Sequence, residues 1–241
     1  LEFHRLLREI PLWAQAATDS DGPAFPVALD GRQGVEVLGE LAGASQCGLF
    51  VDATVEPAMR ASLSAVTVAP AADAHVTLPV PWDATSPLAR VLASPTCEKV
   101  GEDLKRAAIV LARHDVPLAA PLFDIGVASY VLDPSRPSHG VDELARHFLG
   151  MAAPGEDATI RPPWTARTAL ALRPVLERAL EEHGALELFH DVEMPLLAVL
   201  VAMERRGVRV DAAALAALSS EYRFFNDTAT TEIYTLAGGP F

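Results

Sequence analysis

The chain has 241 residues, half of them apolar, and a formal charge of −13 at pH 7; it can bury a full core in one domain of about 200 residues plus edges, and it is too acidic to grip nucleic acid by itself, because phosphate binding needs clustered Lys and Arg. Its longest apolar run, Pro195 to Met203, is far short of the ~20 residues that span a bilayer, and its N-terminal LEFHRLLREI carries acids that signal peptides lack, so no export or anchoring is implied and a cytoplasmic chain is expected. Cys47 and Cys97 lie far apart in sequence with no CxxC or Cys/His cluster, which argues against a structural zinc site and for a reducing compartment.

In chain order, apolar residues at 3, 6, 7, 10 and 12 predict a short amphipathic helix over Leu1–Trp13, and TDSDGPAFP from Thr18 to Pro26 reads as a linker. A second small helix is expected over Gln33–Leu41, then a strand at 48–54. SLSAVTVA (Ser62–Ala69) and HVTLPV (His75–Val80) alternate as strands joined by a turn at Pro70–Ala74, which makes an antiparallel three-stranded opening. A helix over Ser86–Ala93, a minimal strand over Glu98–Gly101 and a helix over Asp103–His114 follow, the last with Leu104, Ala107, Ala108 and Leu111 on one face. Pro117–Phe123 returns as a strand and Ile125–Leu132 leaves as a helix. Beyond Val141 the pattern is helical: Val141–Leu149, Ala166–His183, Leu186–Gly207 and Ala212–Ser220, with a loop over Pro154–Pro163. Three strands followed by alternating helix and strand describe an α/β fold, a mixed sheet flanked by helices, and a helical C-terminal segment comes after it.

The stretch GLFVDATVE, Gly48–Glu56, is the chemical centre of this pattern. A buried apolar run delivers Asp52 to the carboxyl end of a strand, and Pro57 stops the strand. On an extended strand, positions 52, 54 and 56 share a face, so an acid at 54 would stand about 7 Å from Asp52 along the backbone, close enough to share metal. Position 54 is Thr54, and Glu56 would lie roughly 13 Å away. Among other candidates, His139, His147, His183 and His190 have no acid or Cys partners at ligand spacing. Glu177, Glu181, Glu182 and Glu187 read as a solvated helix face.

Three longer motifs carry a resemblance: KVGEDLKRA from Lys99, FDIGVASYVLDPSRPSHGVDELA from Phe123, and DVEMPLLAVLVAMERRGVRVD over Asp191–Asp211. Together they resemble the proofreading-domain region of bacterial DNA polymerase I, a family A DNA polymerase, up to the start of the thumb. The resemblance implies an RNase H-like fold, a parent that copies DNA with Mg²⁺, and a two-metal 3′-5′ exonuclease site. It also implies a division of the chain: 1–26 a linker after a preceding domain, 27–190 the exonuclease-like domain, and 191–241 the junction helix and first part of the thumb. Within the last part, NDTATTEIYT (Asn226–Thr235) matches the translation of a common sequencing-library adapter, so residues 224–235 carry no functional argument. The abrupt ends are expected of an excerpt from a longer protein.

A two-metal site of this kind needs four acids, because two hard cations about 3.5–4 Å apart must be held by oxygen ligands. Matched residue by residue, Asp52 keeps the first acid, and Thr54, Ala107 and Thr168 stand at the positions of the other three. Asp103, one helical turn before Ala107, is the candidate substitute ligand alongside Asp52 should the site be active. Arg205 and Arg206 are weak candidates for nucleic-acid contact, placed at a helix C-terminus that favours cations regardless of DNA. The expected function is therefore that of a degenerate 3′-5′ exonuclease-like domain with a structural role, in a monomeric fragment that has no metal cofactor of its own and meets DNA through its parent. The alternatives are an active exonuclease with a rearranged site and a free-standing interaction module.

Overall fold

The computed structural model of the chain describes residues 32–33, 37, 41, 43–81, 86–155, 157 and 159–222. The helix expected over Leu1–Trp13, the linker and the stretch 224–235 lie outside the described residues. The described chain up to Arg205 belongs to one compact unit, and the residues from Arg206 onward to a second.

The sheet of the first unit has six strands: β1 Arg32–Gln33, β2 Gln46–Ala53, β3 Leu63–Ala71, β4 Ala74–Pro79, β5 Glu98–Gly101 and β6 Leu122–Asp124. Their spatial order is β1-β4-β3-β2-β5-β6. β2, β3 and β4 form the antiparallel meander that the alternation predicts, and β5 and β6 add in parallel beside β2. Gln33 is a strand residue paired with His75 rather than a helix start, while Val37 and Leu41 are helical and buried as the apolar spacing requires.

The helices are α1 Pro87–Leu92, α2 Leu104–Ala112, α3 Ile125–Leu132, α4 Val141–Leu149, α5 Arg161–Glu182 and α6 Met194–Arg206. Most begin where the sequence offers a side-chain cap or a proline, while α4 follows Gly140 without a side-chain cap. Ser86 caps α1 through Ala89 N at 3.1 Å, Asp103 caps α2 through Arg106 N at 3.2 Å, and Gly150, at φ +66°, closes α4. α5 starts at Arg161, five residues ahead of the expected Ala166, because Pro162 and Pro163 sit in its first turn, where no N–H is required. β6 is only three residues long, since Pro117 and Pro121 remove ladder donors from the stretch expected as a strand.

Parity along β2 sorts the core onto two faces. Cys47 and Leu49 join Val66, Val68, Leu88, Leu92, Leu104 and Ile109 on one face. On the other, Gly48 meets α5 so closely that a Cβ at this position would lie 1.9 Å from the Ala166 carbonyl oxygen. That helix is buried from Pro162 through Leu172 and belongs to a second cluster with Val100, Phe123, Ile125 and Leu144.

Between α5 and α6 the chain makes a π-helical turn over Leu188–Glu193, directly ahead of Pro195. The widened turn spares the clash between the proline ring and the carbonyl four residues back. The face of α6 that is buried differs from the one its spacing predicts. The spacing of Leu196, Val199, Leu200 and Met203 predicts a stripe packed on the core, but these residues are 40, 53, 40 and 62% exposed, whereas Met194 and Leu197 are 9 and 6% exposed. Leu197 and the half-buried Val201 are the α6 residues that join the first core cluster. In the second unit, a helix at residues 212–222 is capped by Asp211, whose Oδ1 accepts from Ala213 N and Ala214 N at 3.0 Å.

Candidate functional site

The end of β2 and the start of α2 form a cleft of about 360 Å³, lined on one side by Phe50, Asp52 and Val55 and on the other by Asp103, Arg106 and Ala107. Asp52 stands at the last regular register of β2, opposite Ala65, before an irregularity that pairs Ala53 with Leu63. Sharing parity with Gly48 and Phe50, it projects to the α5 side of the sheet. The strand ends at Ala53, so Thr54 and Glu56 do not continue its face as an extended strand would place them.

Thr54 is committed to the local fold. Its Oγ1 accepts from Ser62 N at 3.0 Å, and its N–H donates to Ser62 O at 3.0 Å. Ala107 is buried on α2 beneath the cleft. Asp103 is exposed, at φ +48°, with Oδ1 turned back onto the Arg106 N–H to cap the helix. Thr168 is buried in α5, and its Oγ1 has no hydrogen-bond partner among the described residues. Among the described residues no three His, Cys, Asp or Glu side chains gather as a ligand set for a metal ion.

The cleft's own cation is Arg106. From the first turn of α2 its Nη1 donates to the Glu56 carbonyl at 2.8 Å, and its Nη2 donates to the Thr54 carbonyl. The segment that leaves β2 is thus tied to α2 through a guanidinium, with Asp52 lining the same cavity.

Beside the cleft, the buried Asp124 accepts three backbone N–H bonds, from Leu104, Gly126 and Val127. Burial pushes its pKa up to about 6 against the pull of those donors. Glu102, lining the cleft from the turn before α2, is raised as well, first by burial.

Several side chains acquire partners that spacing alone conceals. Cys47 and Cys97 are buried with Sγ atoms 3.7 Å apart, because β2 and β5 are neighbours. The hydrogen bond between the two thiols, with burial behind it, pushes Cys47 up; the same hydrogen bond, against the effect of burial, brings Cys97 down to about 7. Lys99, fully buried, donates to the carbonyls of Ser94 and Cys97 at 2.7 and 2.8 Å. His139 Nδ1 lies 2.9 Å from Ser129 Oγ. Glu177 is not simply solvated: it pairs with Arg173 at 2.7 Å, and Arg173 also bridges to Glu98. Alternation of residue types signals burial, but the Cys47–Cys97 and Arg173–Glu98 pairings join residues 50 and 75 positions apart, beyond the reach of local spacing. Arg205 ends the first unit on α6, and Arg206 begins the second. Among the described residues no helix is long and apolar enough to cross a membrane.

Residues 59–157 match the family model for the DNA polymerase I, ribonuclease H-like domain. Curated relatives include DNA polymerase I of Rhizobium leguminosarum, 32% identical over 178 residues that make up 66% of this chain and 17% of the relative. DNA polymerase I of Bacillus subtilis is 31% identical over 157 residues, 58% of this chain and 18% of its own. The thermostable DNA polymerase I of Thermus thermophilus is 36% identical over 137 residues, 57% and 16% of the two chains. The chain therefore spans under a fifth of these relatives' length. Among solved structures, the POL domain of Pol1 from M. smegmatis, in complex with DNA primer-template and dNTP, superposes with a TM-score of 0.73 at 24% identity, covering 87% of this chain and 38% of that one. Brucella melitensis NrnC superposes with a TM-score of 0.65 at 16% identity, covering 75% and 95%. These two likenesses establish the ribonuclease H-like fold.

Proposed function

The chain carries the ribonuclease H-like domain of DNA polymerase I, and from that premise we propose that its cleft is a degenerate 3′-5′ exonuclease site and that the domain serves as a support for the polymerase of its parent. The observation that carries this reading is the donor set at the end of β2. Asp52 lines the cleft with Ala107, which offers no ligand, while Thr54, just past the end of the strand, has its hydroxyl already engaged by the Ser62 N–H. Two divalent ions require several hard oxygen donors converging within about 2.0–2.6 Å of each ion. Asp103, the substitute ligand, spends one carboxylate oxygen on its own helix. The residues present do not fit a two-metal centre, and no hydrolytic step is assigned to them.

In the supporting role, the sheet and α5 form a rigid body to which α6 is pinned by Met194 and Leu197. The parent would bind primer-template DNA and Mg²⁺ through parts outside this chain, which is itself monomeric and lacks both polymerase and exonuclease activity. Its acidic charge supports this division, since a surface of −13 disfavours phosphate contact. Calorimetric titration of the chain with Mg²⁺ and Mn²⁺ tests the reading: heats no larger than those of a generic acidic surface are expected. Two saturable sites abolished by Asp52→Ala would overturn it.

A further inference from the structure

The lost acids leave open what holds the end of β2 and the turn after it. In this chain the segment 54–56 is fastened by a side chain that comes from the opposite wall of the cleft. Arg106 is adjacent in sequence to Ala107, and its planar fork reaches the carbonyls of Thr54 and Glu56, two residues apart on the other wall. Geometry favours an arginine for this task. The guanidinium presents parallel N–H donors in a fixed plane, carries its charge at every physiological pH, and sheds water more readily than an ammonium. The base of the side chain is held in place too, since the Arg106 N–H is the donor that Asp103 caps at 3.2 Å.

We propose that Arg106 is an internal cation strap, which fixes the segment after Asp52 in the absence of a metal ion and keeps divalent cations out of the cleft. The proposal rests on the degenerate-site reading and deepens it: the site is not merely short of acids but is held by a charge of its own. Arg106 lines the cavity alongside the carboxylates of Asp52, Glu102 and Asp103, and its fixed charge opposes a dication that approaches the end of β2. The carbonyl oxygens of Thr54 and Glu56 are also engaged, because both already accept from Arg106. Putting carboxylates back is therefore insufficient while Arg106 remains.

The test compares Mn²⁺ binding by electron paramagnetic resonance, read from loss of the free aqua-ion signal, in the native chain, in Thr54→Glu/Ala107→Asp, and in that double variant with Arg106→Ala or Arg106→Gln added. Circular dichroism melts accompany each protein. Arg106→Gln keeps a donor on the strap while removing its charge, and it carries the comparison if the alanine variant fails to fold. The double variant is expected to bind Mn²⁺ within threefold of the native chain, and removal of the Arg106 charge to tighten binding at least tenfold. Equal binding with and without Arg106 would overturn the strap. Saturable binding by the native chain would instead overturn the degenerate-site reading, so the two failures are distinguishable.

Discussion

The side chain of Asp124 and the backbone N–H of Leu104, twenty residues apart, share a buried hydrogen bond of 2.7 Å. The other carboxylate oxygen of Asp124 accepts from Gly126 N at 2.9 Å and Val127 N at 3.2 Å, so a single side chain at the end of β6 caps both α2 and α3. This junction aligns α2, and with it Arg106 and Ala107, against the end of β2.

Asp124→Asn should therefore destabilise the chain by about 1–3 kcal/mol, because its amide presents donors where backbone donors already point. The cost should also depend on pH. The Asp124 pKa is raised from 3.8 to about 6, so its contribution is fully present below about pH 4 and is lost as pH rises through 6. The stability difference between native chain and variant, from urea unfolding, should be larger at pH 4.5 than at pH 7, by about 2 kcal/mol. A difference that grows toward neutral pH would contradict this placement.

On α6 the buried and exposed leucines make opposite forecasts. Leu197→Asp places an unpaired charge in the core and should cost several kcal/mol. Leu200→Asp, on the exposed stripe, should change stability by no more than about 0.5 kcal/mol. Thermal melts of the two variants check the assignment, and equal losses would refute it.

Gly48→Ala should destabilise by about 1–3 kcal/mol or force α5 off the sheet, since the added Cβ meets the Ala166 carbonyl. Gly150→Ala is the control. Nothing lies within 4 Å of the added atom, so only its φ of +66° costs, at about 1 kcal/mol. Chemical denaturation of both variants separates crowding from backbone strain.

Much of this architecture was legible where local signals agree. The bounds of β5, α3 and α4 follow from the sequence because a gap in apolar pattern and a cap fall together, as at Asp124 before Ile125 and at Gly150 after Leu149. Asp52 at a strand end beside Thr54 was legible for the same reason. Failures arise where tertiary context decides. Pro162 and Pro163 lie in the first turn of α5 rather than in the loop before it, and α6 buries Met194 and Leu197 rather than the stripe its spacing suggests. The Arg106 strap, the thiol pair and the bond from the Leu104 N–H to Asp124 join residues 20 to 52 positions apart, and periodicity carries no information at that range.

The central claim, a cleft without nuclease chemistry, is tested most directly by release of mononucleotides from a 3′-labelled DNA single strand in Mg²⁺, with an EDTA control. The native chain and Asp52→Asn should be equally inactive, with Asp52→Asn altering stability only slightly. Thr54→Glu/Ala107→Asp/Thr168→Asp with Arg106→Gln should show weak cleavage that EDTA abolishes, because metal-dependent rates depend on where charge is placed. EDTA-sensitive cleavage by the native chain, lost in Asp52→Asn, would contradict the account and make Asp103 the first residue to test as the missing ligand.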